Sequence, residues 1–204
     1  MTIDIKDGII KNTSIKTDIY SQIEKGAMNK VNAIVLHQTG SSSSASAYSS
    51  YKSGQNGAHF LIEKDGTVVQ TARINQKCWH VGAIRSKCYE LKSCSVQGLN
   101  EVQAVLFKKG ESYALRVKQL SRLESGKTYP ERYPTNEDSI GIEIVGAFDL
   151  TLNQYEMVSR QQNIALSWLI ELLQNALHMD DEDVYRHPEV SYKKPSEAKS
   201  ATWR

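Results

Sequence analysis

The segment Ile140–Val145 constrains the fold most, because it places an isoleucine at every second position (IGIEIV). Side chains alternate between the two faces of a β-strand, so Ile140, Ile142 and Ile144 share one face and Glu143 points to the other. A strand with one aliphatic face needs a second layer to cover it. The segment therefore predicts a sheet that packs against helices on one face and carries a carboxylate on the opposite face.

Other segments supply partners for this strand. Val31–Leu36 is a β-branched run typical of a buried strand, and His59–Glu63 and Thr67–Thr71 are two strands joined by an Asp-Gly turn. Leu152–Leu177 repeats apolar residues at helical spacing and is the clearest helix. Strands interspersed with helices predict an α/β fold with a mixed central β-sheet flanked by helices.

The length of 204 residues predicts a single domain. Residues 1–30 are polar and mixed, which favours an N-terminal arm with one short element, and residues 31–204 form the domain itself. Within this domain, the stretch at about 83–135 is a long insertion. We expect it to form either a wall of the substrate groove or a docking surface for a protein partner.

Charge and composition exclude several classes of protein. The 25 Lys and Arg against 23 Asp and Glu leave a net charge of +2, too balanced for nucleic-acid binding or a polybasic membrane anchor. With 40% hydrophobic and 24% charged residues, we expect neither a disordered chain nor membrane insertion. The first residues lack the basic-then-apolar layout of a secretory signal, so we expect synthesis in the cytoplasm.

The three cysteines, Cys78, Cys88 and Cys94, lie close together in the sequence. An odd number of cysteines without a CxxC pair predicts neither a disulfide framework nor a structural zinc site. Three free thiols are the simpler expectation. One disulfide is the alternative if the protein reaches an oxidising compartment.

Two histidines and a carboxylate lie in predicted loops. His37 follows the first buried strand and leads into a serine-rich loop, a place where sites on sheet proteins tend to lie. His187 precedes Pro188, which argues against a helical conformation, and Glu197 stands ten positions beyond His187. Two imidazoles and a carboxylate are a plausible set of three protein ligands for a catalytic zinc ion, whose fourth position is left to water.

Five segments together carry a stronger signal: VNAIVLHQTG (31–40), GAHFLIEKDGTVVQ (57–70), CWHVG (78–82), NEDSIGIEIVG (136–146) and HPEVSYKKPSE (187–197). Their order resembles that of the zinc-dependent N-acetylmuramoyl-L-alanine amidases, which include phage lysozyme-type amidases, bacterial muropeptide-recycling amidases and animal peptidoglycan recognition proteins. The resemblance covers roughly residues 30–82 and 136–200. It implies the peptidoglycan-recognition/amidase fold and hydrolysis of the amide between the lactyl group of N-acetylmuramic acid and L-alanine. The substrate is then peptidoglycan or muropeptides.

The same resemblance implies a zinc site. His37 and His187 match the family's first and second zinc ligands. The third ligand of the family is usually an Asp or Cys, so the resemblance places it at Glu197 although Glu replaces Asp here. The family tail Lys-x-Asp-Pro-Gly corresponds to residues 194–198 (KPSEA), in which the spacing from lysine to carboxylate is one residue longer.

Two further residues are implied to act in catalysis. Glu143 matches the family's catalytic glutamate, which takes a proton from the attacking water and hands it to the leaving amine. Lys194 is the nearest match to the family's lysine that stabilises the oxyanion. Lys193 is the alternative because of the longer spacing.

Three residues are expected near the substrate. Trp79 and His80 resemble a Trp-His-x-Gly segment that lines the substrate groove, where an aromatic ring suits a sugar face. His59 matches a position near the zinc that is not itself a ligand. We expect it to support a ligand or to pack, with substrate contact as the alternative.

Other functions remain open beside the amidase. A metal-free peptidoglycan-binding module would lack the third ligand, and an enzyme with the same fold could cleave a different bond of the stem peptide. An antibacterial effector with a cognate immunity protein and a phage-type endolysin would both act in the periplasm or cell wall. Cytosolic muropeptide recycling is the third expected setting.

Overall fold

A computed structural model describes residues 4–204 of the chain. The strands are β1 (Ile5–Lys6), β2 (Ile9–Ile10), β3 (Ile15–Thr17), β4 (Glu24–Ala27), β5 (Ala33–Gly40), β6 (Phe60–Ile62), β7 (Val68–Gln70), β8 (Gln76–Cys78), β9 (Ser139–Asp149), β10 (Gln154–Tyr155) and β11 (Val184–Arg186). The α-helices are α1 (Ala45–Ser53), α2 (Lys87–Glu90), α3 (Val96–Leu106), α4 (Tyr113–Ser125), α5 (Arg160–Leu177) and α6 (His187–Val190).

A mixed seven-stranded sheet forms the centre of the domain. Its order is β11-β5-β9-β6-β7-β3, and β10 pairs with β9 outside this path. The strands β11, β5, β9 and β6 are parallel to one another, whereas β6 and β7 form the antiparallel hairpin that the Asp-Gly turn predicted. The predicted α/β fold with a mixed sheet flanked by helices is confirmed.

The isoleucine face of β9 packs against α5. Ile140, Ile142 and Ile144 are buried in one cluster with Leu166 and Leu169 of that helix. The neighbouring strand β5 alternates in the same way, since its Ile34 and Leu36 join this cluster while Val35 belongs to a cluster on the other face. The face opposite α5 is therefore the one that carries His37 of β5 and Glu143 of β9.

The long helix is shorter than the sequence predicted. Asn153 adopts a left-handed φ of 50°, and β10 turns back to pair with the end of β9. The helix begins only at Arg160, where the side chain of Ser159 accepts a hydrogen bond from the Gln162 N–H and closes a capping box. The apolar residues of 152–159 thus continue the helical pattern without belonging to the helix.

The N-terminal segment contains more structure than the predicted arm with one short element. Residues 5–10 form the β1–β2 hairpin, β3 adds an edge strand to the central sheet beside β7, and β4 pairs with β8. Short strands without strong periodicity gain their stability from pairing, which the local sequence does not display.

The insertion at 83–135 folds into α2, α3 and α4. Lys87 anchors it, because its Nζ lies 5.6–6.0 Å from the ring centroids of Tyr129, Tyr133 and Tyr185. A disulfide between Cys88 and Cys94 closes the segment that joins α2 to α3. The expectation of three free thiols is wrong for this pair, whereas Cys78 is free and buried. Among residues 4–204, no helix has the length and apolar character that crossing a membrane requires.

Candidate active site

Three metal-ligating side chains meet on the face of the sheet opposite α5. His37 lies inside β5 rather than at its end, because the strand continues to Gly40. His187 begins α6, although Pro188 predicted a non-helical conformation; proline is tolerated in the first turn, where its missing N–H has no helical partner to lose. Glu197 lies in the turns that follow, and all three side chains are buried.

The ligating atoms of these residues converge on one point. Nδ1 of His37 lies 2.9 Å from Nδ1 of His187, which lies 2.9 Å from Oε1 of Glu197, and the third separation is 3.6 Å. Ligands of a tetrahedral zinc ion stand about 3.3 Å apart when the bonds are about 2.0–2.1 Å long. The three separations agree with this value within roughly half an ångström, so the donor set fits zinc.

A hydrogen bond on the far side of the His187 ring leaves its Nδ1 lone pair facing the other two ligating atoms. Its Nε2 lies 2.8 Å from the carbonyl oxygen of Val81, so Nε2 carries the proton and donates it, and Nδ1 keeps its lone pair. Burial alone would raise the pKa of Glu197, but its contacts with His187 and His37 lower the pKa to about 2, so the carboxyl group is ionised. Buried acceptors that face each other are unfavourable until a cation lies between them.

The imidazole of His37 is held in the neutral form. Burial, together with the nearby His187, lowers the pKa of His37 to about 4. A histidine must be neutral to bind a metal ion, so the site is ready for a metal at neutral pH.

The turn that presents Glu197 is fixed by two side chains that sequence reasoning missed. Buried Gln38 accepts a hydrogen bond from the Ala198 N–H at 2.8 Å and donates one to the carbonyl of Glu156 at 3.1 Å. Arg186 donates to the carbonyls of Ala198 and Ala201 at 3.1 and 2.9 Å. Their positions directly after His37 and directly before His187 are the only signal that the sequence offers for either role.

Glu143 lies beside the ligand cluster. It is the register partner of His37 on the adjacent parallel strand, so the two side chains are neighbours on the same face of the sheet. Burial, and next the negative charge of Glu197, raise the pKa of Glu143 to about 8, although Lys193 acts in the opposite direction. A carboxyl group with a pKa near neutrality can both take up and release a proton there.

The two candidate lysines point to different places. Lys194 extends away from the cluster, with its Nζ 2.8 Å from Oδ1 of Asn153 and 4.1 Å from the centroid of the Phe148 ring. Lys193 lines the pocket together with the three ligands and Glu143. The structure therefore places Lys193, the alternative of the sequence analysis, in the pocket and Lys194 outside it.

Of the three residues expected near the substrate, Trp79 and His80 line the pocket and His59 does not. Trp79 lies on the pocket wall with 51% of its surface exposed, as a groove residue would. His59 is completely buried and joins two segments: its Nε2 donates to the carbonyl of Gln76 and its Nδ1 accepts the Gly141 N–H. This is the packing position expected for His59, and the residue does not line the pocket. His80 lines the pocket but turns its ring toward His37.

The pocket has a volume of about 620 Å³. Tyr51 and Tyr155 line it as well and were not predicted from the sequence. Burial, and next the nearby Glu143, raise the pKa of the Tyr51 hydroxyl well above its usual value, although the backbone at Ala58 acts in the opposite direction.

The fold is shared with several solved amidase structures. A Se-Met AmpD derivative superposes with a TM-score of 0.57 at 15% identity, covering 98% of this chain and 96% of that one. The N-acetylmuramoyl-L-alanine amidase LysC from Clostridium intestinale gives a TM-score of 0.52 at 19% identity, over 88% and 85% of the two chains. The catalytic domain of XlyA gives 0.52 at 19% identity, over 88% and 87%.

The mixed α/β fold of this chain is therefore the fold of these amidase structures. Residues 27–201 match the family model described as N-acetylmuramoyl-L-alanine amidase. The chain therefore belongs to the N-acetylmuramoyl-L-alanine amidase family, whose members degrade peptidoglycan, and the resemblance seen in the five sequence segments is confirmed. No curated protein matches the sequence significantly.

Proposed function

We propose that this protein is a zinc-dependent hydrolase that cleaves the amide between the lactyl group of N-acetylmuramic acid and L-alanine in peptidoglycan. One observation carries the proposal: three metal-ligating atoms converge at 2.9–3.6 Å in a pocket that also contains the carboxylate of Glu143. His37, His187 and Glu197 would hold the metal. Bound zinc supplies a Lewis acid that lowers the pKa of water to about 7.

Glu143 transfers the proton in this reaction, and Lys193 stabilises the developing negative charge. Glu143 takes a proton from the water whose oxygen bonds to the lactyl carbonyl carbon. As the carbon–nitrogen bond breaks, Glu143 delivers that proton to the nitrogen, which releases the amine of L-alanine and leaves a lactyl carboxylate. The ammonium group of Lys193 stabilises the negative charge that develops on the carbonyl oxygen.

Zinc content is the first test. We expect about one zinc per chain in the wild type, and Glu197→Ala should lose it or bind it far more weakly. Glu137→Ala is the control, because this carboxylate is exposed and pairs with Lys77 rather than with the ligand set. Absence of zinc in the wild type, even after zinc is supplied, would favour the metal-free binding module. Equal zinc in wild type and Glu197→Ala would mean that the third ligand is a different residue.

Activity on purified sacculi is the second test. Glu143→Gln preserves the shape of the side chain but cannot carry the proton, so hydrolysis should fall by about 10²- to 10⁴-fold while zinc content stays unchanged. Mass analysis of the products identifies the bond, because cleavage at L-alanine leaves an intact glycan and a complete stem peptide. Shortened stem peptides would assign the enzyme to a different amide, and full activity of Glu143→Gln would overturn the assigned role.

We also propose that the protein acts in the periplasm or cell wall. The Cys88–Cys94 disulfide supports this location, since such bonds persist in oxidising compartments. Delivery by a secretion apparatus, with a cognate immunity protein, and release by phage-type lysis are both compatible with that setting. Thiol labelling of protein recovered from each compartment tests the location, because two protected cysteines are expected in the periplasmic fraction only.

A further inference from the structure

We infer that His80 is a positioning residue for the metal site: it accepts the Nε2–H of His37 and so turns the Nδ1 lone pair of His37 toward the metal. The inference deepens the proposed function and rests on it, because it concerns the same site. It replaces the expectation that His80 binds substrate.

The surroundings of His80 decide which of its nitrogens carries the proton. Its Nε2 lies 3.2 Å from the carbonyl oxygen of Ser139 and 3.4 Å from the hydroxyl oxygen of the same residue. That hydroxyl donates its single proton to the carbonyl of Thr135 at 2.6 Å. Both oxygens near Nε2 are therefore acceptors, so Nε2 of His80 must be the donor.

The second nitrogen of His80 then has to be an acceptor. Within residues 4–204, no carboxylate forms a hydrogen bond or ion pair with His80 that would stabilise a buried positive charge, so the ring is neutral and Nδ1 keeps its lone pair. Nδ1 of His80 lies 3.0 Å from Nε2 of His37. His37 is consequently the donor, and its own lone pair remains on Nδ1, which faces His187 and Glu197.

The position of the His80 ring is itself fixed. The backbone N–H groups of His80 and Val81 both donate to Oδ1 of Asn136, at 3.0 and 2.8 Å. Gly141 lies against the ring so closely that a Cβ there would stand 2.9 Å from its Cγ. Since both ring nitrogens are engaged within the protein, neither is available to a substrate.

Zinc affinity tests the inference without relying on catalysis. Replacing a residue that orients a metal-binding histidine typically weakens metal binding by about 10- to 100-fold. We expect that loss for His80→Leu, which has no acceptor, measured by competition with a chelator. His80→Asn should recover much of the affinity, because its amide oxygen can occupy the place of Nδ1. Ser139→Ala is the matched control: it keeps the carbonyl that orients His80 and should bind zinc within about threefold of the wild type.

Nitrogen-15 NMR of the metal-free protein gives a second readout. The His37 ring should be the Nε2–H form in the wild type and in His80→Asn, and should shift toward the Nδ1–H form or a mixture in His80→Leu. Wild-type zinc affinity in folded His80→Leu, or an Nδ1–H form of His37 in the wild type, would overturn the inference. A raised KM of His80→Leu with unchanged zinc affinity would also overturn it, because His80 would then act on the substrate.

These outcomes separate the inference from the proposed function. A wild-type protein that binds no zinc would refute the zinc-dependent function, while the NMR signal of His37 would still decide whether His80 orients it. Conversely, an active zinc enzyme in which His80→Leu leaves both affinity and the His37 signal unchanged would refute the inference alone. Circular dichroism of both His80 variants checks that they are folded.

Discussion

Among single residues, Glu143 shows best how the fold changes the properties of a side chain. In an unfolded chain its carboxyl group would ionise near the usual pKa of 4.5, whereas burial and Glu197 raise the pKa to about 8 in the folded protein. Between these two values the folded state binds the proton more tightly than the unfolded state does. Folding stability from this group is therefore full below about pH 4.5 and is lost as the pH rises toward 8.

This linkage predicts that Glu143→Gln stabilises the metal-free protein. The gain in the free energy of unfolding relative to wild type should be close to zero at pH 4.5. It should grow through neutrality and level off above pH 8. Its size should reach about 2–4 kcal/mol, less than the full shift implies because solvent in the pocket screens the charge. Urea unfolding in the presence of chelator at several pH values measures it. Glu131→Gln, at an exposed position, is the control that should show no such trend, and a variant less stable than wild type at pH 8 would contradict the prediction.

The adjacent lysines offer a matched pair of variants. Lys193 lines the pocket and Lys194 contacts Asn153 and Phe148 outside it. We expect Lys193→Ala to lower kcat by about 10- to 100-fold through loss of a charge near the oxyanion, with little effect on zinc binding. Lys194→Ala should retain nearly the wild-type rate. Steady-state kinetics on a soluble muropeptide distinguishes them, and the reverse order would return the role to Lys194.

At the scale of elements, β9 carries both the core and the site. Its isoleucines face α5, and on its other face Gly141 leaves the space that the His80 ring fills. Gly141→Ala would bring a Cβ to 2.9 Å from that ring. The strand therefore accommodates the ring only because this position has no side chain.

Gly141→Ala should consequently destabilise the protein by about 1–3 kcal/mol and weaken zinc binding, since the ring that orients His37 must move. In a double variant with His80→Ala the destabilisation should be less than the sum of the two, because the clash disappears. Gly126→Ala is the control, with no atom closer than 3.5 Å to the added Cβ. Denaturant unfolding and chelator competition measure both effects, and strict additivity would argue against the clash.

Elements with strong local patterns were predictable, and the others were not. The alternation in β9 and the Asp-Gly turn between β6 and β7 are encoded within a few residues, so the sequence was sufficient for them. The edge strand β3 and the start of α5 depend on pairing and on a left-handed residue at Asn153, which no periodicity reveals. The site followed the same rule: the ligands belonged to recognisable motifs, whereas Gln38 acts through a contact with a residue 160 positions away.

At the scale of the whole molecule, the metal site joins distant parts of the chain. His37 lies in a central strand, His187 in the short helix after the edge strand β11, and Glu197 in the C-terminal turns. His37 and His187 are 150 positions apart in the sequence, so the three ligating atoms converge only when the sheet and the C-terminal segment are both folded. A metal that binds the native state alone must then stabilise the entire domain.

Zinc should therefore raise the thermal midpoint of unfolding. At free zinc about 100 times above Kd, mass action gives about 2.7 kcal/mol, which corresponds to roughly 5–10 °C for a domain of this size. Differential scanning calorimetry with zinc and with chelator measures the shift. Glu197→Ala should lose most of it, because one of the three converging ligands is gone, while Glu137→Ala should keep it. A wild-type midpoint that does not respond to zinc would show that the three side chains do not act as one metal site.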